Sequence, residues 1–267
     1  MKRKIFFITI LTLILASCSE YQKLLKSDDA DLKYRKGIEY FEKKDFLRAS
    51  NLFDAVSSYY KGTERSEELL VYMAKSALGQ KDYFTASAYF KKYVKTYPKG
   101  KYVIESKFMI GYCYYLDSPD ARLDQEATQD AITAFQEFIE LYPESERIQE
   151  ANKYLDEMNN KMAFKLLINS RLYFNLGNYM GNNYESAIIT AQNALRKYPA
   201  NTYREEFSMI ILESKYQEAV LSVEEKKIER YRTAIDEYYN FINEFPDGKL
   251  KKKAEKIFNV SKNQIKE

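Results

Sequence analysis

The segment Lys44-Asp45-Phe46-Leu47-Arg48-Ala49-Ser50-Asn51-Leu52-Phe53 returns thirty-seven residues later as Lys81-Asp82-Tyr83-Phe84-Thr85-Ala86-Ser87-Ala88-Tyr89-Phe90, with five of the ten positions identical. Repetition at such a period marks a chain built by reusing one small structural unit. Taking the small residue as anchor, equivalents fall at Ala49, Ala86, Ala131, Ala187 and Ala234, each followed eleven residues on by an aromatic: Tyr60, Tyr97, Tyr142, Tyr198 and Phe245. Four of those aromatics precede a proline, at Pro98, Pro143, Pro199 and Pro246, while Lys61 holds that place in the first unit. A pair of antiparallel helices explains the pattern. The small anchor lets the second helix approach the first, large residues around it (Phe53, Phe90, Phe135 and Tyr238, four positions on) fill the groove, and proline forbids continuation of the helix. One such unit cannot bury its own apolar face, so neighbours must stack.

A helix-turn-helix unit of about 34 residues resembles the tetratricopeptide repeat, or TPR. The expected fold is therefore all-α: a tetratricopeptide-repeat solenoid of five helical hairpins plus a C-terminal capping helix, over residues 30–267. Only eight Gly and five Pro interrupt the chain, as a helical fold requires. Anchor spacings of 37, 45, 56 and 47 all exceed the minimal period, so extra residues need housing. Asp117-Ser118-Pro119-Asp120-Ala121-Arg122-Leu123-Asp124-Gln125-Glu126, rich in turn formers, reads as a loop inside the third repeat. The stretch from Ile148 to Leu176 reads as a long helix or a helix pair, with the next turn at Gly177 to Asn183. Thr202-Tyr203-Arg204-Glu205 has the form of a capping box opening the fifth repeat. Past Pro246, Lys249, Lys252, Lys253 and Lys256 form a solvated face opposite an apolar stripe of Leu250, Ala254 and Ile257.

At the other end, Lys2, Arg3 and Lys4 precede an eleven-residue apolar run, Ile5 to Leu15, and then Ala16-Ser17-Cys18. A helix of that run rises only about 16 Å, roughly half the hydrocarbon thickness, so it reads as a secretion signal over residues 1–17 and not as a transmembrane span. Leu15-Ala16-Ser17-Cys18 resembles the lipobox of bacterial lipoproteins, in which the Cys side chain receives a diacylglyceryl group and, after cleavage before it, becomes the first residue of the mature protein. On that resemblance Cys18 is the lipidation site and residues 18–29 are a lipidated tether. Multiple acyl chains, at about 0.8 kcal/mol per buried methylene, hold a domain on a bilayer where one chain does not. Ser19, where an Asp would imply inner-membrane retention, implies the outer membrane, with the folded domain in the periplasm.

Removing Lys2, Arg3 and Lys4 brings 42 basic residues into balance with 39 acidic ones, which leaves no electrostatic case for nucleic acid. Lipidation at Cys18 leaves Cys113 without a disulfide partner, and its setting, Phe108-Met109-Ile110-Gly111-Tyr112-Cys113, reads as helix packing. The chain has no His, which removes the usual general base, metal ligand and partner of a nucleophile. No Gly-rich phosphate loop occurs. Neighbouring carboxylates such as Glu67-Glu68 and Glu205-Glu206 point about 100° apart on a helix and do not share a site. No enzyme, no catalytic residue, no cofactor and no metal site is expected. Tyr, by contrast, reaches 25, and its rigid body with a polar tip suits gripping peptides or domains. Most of these rings fall at core positions of the repeats. Tyr34, Tyr40, Tyr72 and Lys75, on the first helices of the first two repeats, are candidates for a substrate groove.

Tyr97-Pro98-Lys99-Gly100-Lys101, Tyr142-Pro143-Glu144-Ser145-Glu146 and the insertion Arg122-Leu123-Asp124-Gln125-Glu126-Ala127-Thr128 are similar to the repeat ends and third-repeat insertion of the BamD family of outer-membrane assembly factors, although Leu123 interrupts the Arg-Asp-Gln usual there. The resemblance runs from Cys18 to the last repeat. It implies a scaffold subunit that binds the periplasmic domain of a BamA-type β-barrel subunit and other assembly-complex lipoproteins through its C-terminal repeats, and unfolded outer-membrane proteins through its N-terminal ones. It also implies partner contacts at Arg204, near the start of the fifth repeat, and at Arg122 and Asp124 in the insertion. Two other readings stay open: a repeat scaffold of the cell envelope without a barrel partner, and a glycan-binding lipoprotein, for which the absence of Trp platforms is a mark against.

Overall fold

The computed structural model describes residues 20–266; the signal segment and Cys18 lie outside them. After a helical stretch over residues 20–26, eleven helices follow among the described residues: α1 (Ala30–Glu42), α2 (Phe46–Ser57), α3 (Arg65–Gly79), α4 (Tyr83–Thr96), α5 (Val103–Asp117), α6 (Glu126–Leu141), α7 (Ile148–Leu176), α8 (Asn183–Lys197), α9 (Arg204–Val220), α10 (Glu224–Glu244) and α11 (Lys251–Lys266). Taken two at a time they are five hairpins of the tetratricopeptide kind with a terminal helix, and the fold is all-α. The loop expected in the third repeat separates α5 from α6. Ile148 to Leu176 is one uninterrupted helix of 29 residues. The described residues form two compact units: 20–118 with 130–152, and 119–129 with 153–266.

The hairpin turns follow from the Lys-Asp pairs of the repeat. Lys44 takes a left-handed backbone (φ 61°), its N–H donates to Phe41 O at 2.9 Å, and the N–H of Asp45 reaches back to Tyr40 O at 2.9 Å. These bonds satisfy the last carbonyls of α1 in the manner of a Schellman turn. Asp45 then opens α2 by accepting from Arg48 N. The second hairpin repeats the device: Lys81 lies at φ 63°, Asp82 N donates to Ala77 O at 3.0 Å, and the Asp82 side chain accepts from Thr85 N.

Packing rests on the small anchors. Ala49, Ala86, Ala131, Ala187 and Ala234 are no more than 1 % exposed, and Phe53, Phe90 and Phe135 are fully buried four positions on. Opposite them the first helix is equally small. Gly37 of α1 lies so close to Phe53 that a Cβ there would meet its ring at 2.6 Å, and Gly111 of α5 stands in the same relation to Phe135, at 2.9 Å. Ala74, twelve residues before Ala86 as Gly37 is before Ala49, is also fully buried. In unit one α1 to α5 pack in sequence, and Phe108 meets Phe135 and Phe138 edge-on at 5.8 and 5.5 Å. In unit two Ala163 and Leu167 of α7 pack with Ala187, Ala191 and Ala194 of α8 and with Phe207 of α9. The terminal helix closes that unit as expected, with Ala254 and Ile257 buried against Leu212 and Phe241. Lys252, Lys253 and Lys256 face outward, and Lys253 pairs with Glu213 at 2.6 Å.

Consecutive hairpins are also joined by polar clamps. Glu67, in the first turn of α3, accepts from Lys101 N at 2.8 Å and from the Tyr93 hydroxyl, which itself accepts from Tyr102 N. Glu205 does the same for Leu250 N at 2.7 Å, and Asn160 accepts from Thr202 N at 2.9 Å. The capping box read at Thr202 and Glu205 is therefore corrected. Tyr203 and not Thr202 holds the N-cap position of α9, its side chain makes no cap bond, and the Glu205 carboxylate goes to the next inter-repeat turn instead of back to the cap. Cys113 is fully buried, and burial, with Asp117 nearby, pushes its thiol up to about 12, as suits a packing residue.

Two stability changes follow. Gly111→Ala should cost about 1–3 kcal/mol in chemical denaturation, because Phe135 must move to admit the methyl group. Lys44→Gly and Lys81→Gly should each raise stability by about 0.5–1 kcal/mol, visible as a higher thermal midpoint, since Gly adopts the left-handed turn without a Cβ clash.

Candidate functional site

The groove candidates all fall in unit one, where the 3.6-residue period places Glu68, Tyr72 and Lys75 on one face of α3. Tyr34 of α1 is a core residue, 6 % exposed, and its hydroxyl donates to Glu68 Oε2 at 2.8 Å. Burial, reinforced by that carboxylate, raises the ionisation of Tyr34 far above the ordinary tyrosine value. Tyr72 is half-buried: it stacks on Phe53 at 5.3 Å and meets Phe41 edge-on at 5.2 Å, and burial raises its ionisation too. Lys75 pairs with Glu105 of α5 at 3.0 Å. Tyr40 packs against the same core as Tyr34 and Tyr72 and is also edge-on to Tyr21 at 5.7 Å, with the Arg48 guanidinium 5.6 Å from its ring. The structure thus links Tyr34 to the Tyr72 and Lys75 face of α3 through Glu68, and joins Tyr40 to them through the shared core and not through that face.

Beside this face, Asp31 accepts from the Tyr60 hydroxyl at 2.8 Å and pairs with Arg65, whose guanidinium also lies over the Tyr34 and Tyr60 rings. The Tyr60 hydrogen bond, then Arg65, holds the Asp31 carboxyl below its usual range. Such a surface offers aromatic faces, hydroxyls and both signs of charge. These are groups suited to non-covalent contacts with a peptide. Among the described residues no group of three or more His, Cys, Asp or Glu is arranged to hold a metal ion, and no helix is long and apolar enough to cross a membrane.

The partner candidates fall in unit two. Arg204 Nε and Nη2 both donate to Glu244 Oε1, at 2.8 and 2.5 Å, and Nη1 donates to Pro199 O at 2.8 Å, so this side chain ties the start of α9 to the end of α10 and to the turn before it. In the loop, Arg122 Nε lies 3.3 Å from Asp120, and Asp124 Oδ1 accepts from Glu126 N at 2.9 Å. Sequence reasoning missed Gln125. Its buried amide donates to the carbonyls of Asp120, Leu123 and Asp124 and its oxygen accepts from Thr128, so one side chain shapes the whole insertion. Lys165 of α7 donates to Leu123 O at 2.7 Å and fastens the loop. Gln125 stands in the insertion run that carries the family resemblance, but nothing in that run marks it as the buried residue that shapes the loop. The clamps at Asp31 and Glu67 carry a signal that a search could use, since Asp31–Arg65 and Glu67–Lys101 share a 34-residue separation.

A family profile described as outer membrane lipoprotein (YfiO) matches residues 26–180, more than half of the chain. The chain is also similar to three curated proteins. The outer membrane protein assembly factor BamD of Caulobacter vibrioides is 22% identical over 147 residues, 55% of this chain and 48% of that protein. The BamD of Rickettsia prowazekii is 22% identical over 199 residues, 72% of this chain and 77% of its own length. The putative BamD of Aquifex aeolicus is 25% identical over 228 residues, 85% and 71% respectively. The match thus spans about half the length of the Caulobacter protein and about three quarters of the other two.

The raised tyrosines set an alkaline limit. Tyr34 and Tyr93 ionise above the ordinary value of about 10 in the folded state, so their contribution is complete below that pH and is lost as pH rises towards the folded values. The urea midpoint should stay level from neutrality to about pH 9 and fall above about pH 10. Tyr34→Phe should flatten that fall, measured by circular dichroism alongside tyrosinate absorbance.

Proposed function

The chain belongs to the YfiO family of outer membrane lipoproteins, and we propose on that premise that it is a lipid-anchored scaffold subunit of the outer-membrane β-barrel assembly machinery. It binds the periplasmic domain of a BamA-type β-barrel subunit and receives unfolded outer-membrane proteins for folding and insertion. The observation that carries this reading is the set of relatives named for outer membrane protein assembly, one of which aligns with 85% of this chain and so with both of its units. The lipobox ending in Cys18 supports the anchor, with the domain on the periplasmic side of the outer membrane.

The surface chemistry supports a division of labour. In unit one an aromatic-ended terminal strand lies extended over the α3 face, with Tyr72 presenting a ring and Lys75 a charge that exchanges its bond from Glu105 to the substrate. Tyr34 acts from beneath by holding Glu68, and Tyr40 serves as a second contact. The substrate's backbone stays free to pair with other strands. In unit two Arg204 meets an acidic group of the barrel subunit, and Arg122 and Asp124 extend that contact from the insertion. No step of covalent chemistry is required: the scaffold works by geometry and desolvation at a few anchors.

A photo-crosslinker in place of Tyr72 should capture nascent barrel proteins; capture restricted to mature envelope proteins counts against the groove. Arg204→Glu should lower co-purification with the large β-barrel subunit by roughly tenfold, about 1.4 kcal/mol. Because Arg204 also bonds Glu244, the double change Arg204→Glu with Glu244→Arg separates the two roles. It should recover thermal stability but not the partner, and full recovery of the partner removes Arg204 from the interface.

A further inference from the structure

We propose that the hairpin tips of unit one are a docking surface for the lipid bilayer itself. Three non-Gly residues among those described have a left-handed backbone, Lys44, Lys81 and Met180 at φ 61°, 63° and 56°, and every one sits at a hairpin tip. Glycine would take that conformation without strain. The chain instead keeps long side chains there, two basic and one apolar. Strain retained where a cheaper residue exists points to a use for the side chain.

Each of the first two tips adds a large apolar side chain three residues after its strained lysine. Leu47 is 62 % exposed and Phe84 79 % exposed, at equivalent positions of the repeat, and Lys43 stands beside Lys44. The Gln80 side chain donates to Phe46 O at 3.4 Å and ties the two tips into one edge. The acids that open α2 and α4 are engaged locally, Asp45 by Arg48 and Asp82 by Thr85 N, so the exposed carboxylates at the tips are Glu42 and the N-capping Asp82 against Lys43, Lys44 and Lys81. Apolar tips flanked by lysines suit a membrane surface: the rings and methyls enter the headgroup boundary while the ammonium groups stay at the anionic phosphates.

The course of the chain brings the bilayer to this edge. Tyr21 is buried against the first hairpin, its hydroxyl accepting from Asn51 at 3.2 Å and its ring lying 5.3 Å from the Arg48 guanidinium, within two turns of the tip. Cys18 is three residues upstream, a reach of no more than about 10 Å. A lipid on Cys18 therefore holds the tip edge at the bilayer surface. The proposal rests on the lipid-anchor reading in this respect, and is independent of any barrel partner.

The chain contains no Trp, so a single introduced indole reports on depth. Full-length protein carrying Phe84→Trp, in vesicles of phosphatidylethanolamine and phosphatidylglycerol with brominated acyl chains, should show blue-shifted, strongly quenched emission. Tyr59→Trp, beyond the far end of the twelve-residue α2 and so about 18 Å from Leu47, should not. Lys44→Gly with Lys81→Gly relieves strain yet should weaken docking about 30-fold, each lysine at an anionic surface counting for about fivefold. Equal quenching of the two indoles, or docking unchanged by the lysine pair, overturns the proposal. Mass analysis of Cys18 is read separately. Should Cys18 carry no lipid, the anchor fails, and the Phe84→Trp chain mixed with preformed vesicles must still shift to the blue or the docking surface fails as well.

Discussion

Helices can lie side by side only as closely as their contact residues permit, and in this protein that distance is set by glycine facing phenylalanine and by the alanine anchors. Gly37 admits the ring of Phe53 and Gly111 that of Phe135, while the anchors Ala49 and Ala131, one turn earlier on the helices that carry those rings, are fully buried. A buried ring of this size contributes about 1.5–3 kcal/mol, but only while the opposing backbone stays near enough to cover it. The hairpin angle, the next hairpin's seat and the surface left outside all descend from that contact. Interiors this tightly packed deform little, so the exposed side chains are held by a stiff frame.

Onto that frame the carboxylate clamps add direction. Apolar stacking alone tolerates sliding, whereas Glu67 on Lys101 N and Glu205 on Leu250 N join particular atoms of one repeat to particular atoms of the next. Each also satisfies a backbone donor in the turn that leads into the next helix. The same economy recurs at Gln125, which bonds three carbonyls and turns an insertion without regular structure into a defined surface.

A scaffold of this construction has three kinds of exposed surface, each with its own chemistry. The α3 face mixes aromatic rings with paired charges, the start of α9 carries an arginine committed to Glu244, and the hairpin tips carry apolar groups on strained turns. Arg204 and Lys75 are engaged within the chain, so the contacts proposed for them require an exchange of partners, and their strength would depend on the difference between two ion pairs that are both partly wet.

The repeat, its anchors, the five hairpins, the inserted loop and the closing helix were legible from residue order, because helix periodicity and the demands of close packing act locally and recur in every unit. The Lys-Asp turn was visible as a repeated pair before its left-handed geometry was. What the chain order left undetermined was which long-range acceptor wins a given donor. Glu205 has the spacing of a local cap and is used instead on a turn forty-five residues away. Tyr34 has the composition of a groove residue and is buried, because the hydroxyl finds Glu68 on the next hairpin and the ring can then leave water. Tyr21 has the look of a tether residue and is fastened to α2. Such outcomes are decided by the competition of partners brought together from distant positions, and only the folded arrangement sets the distances on which that competition turns.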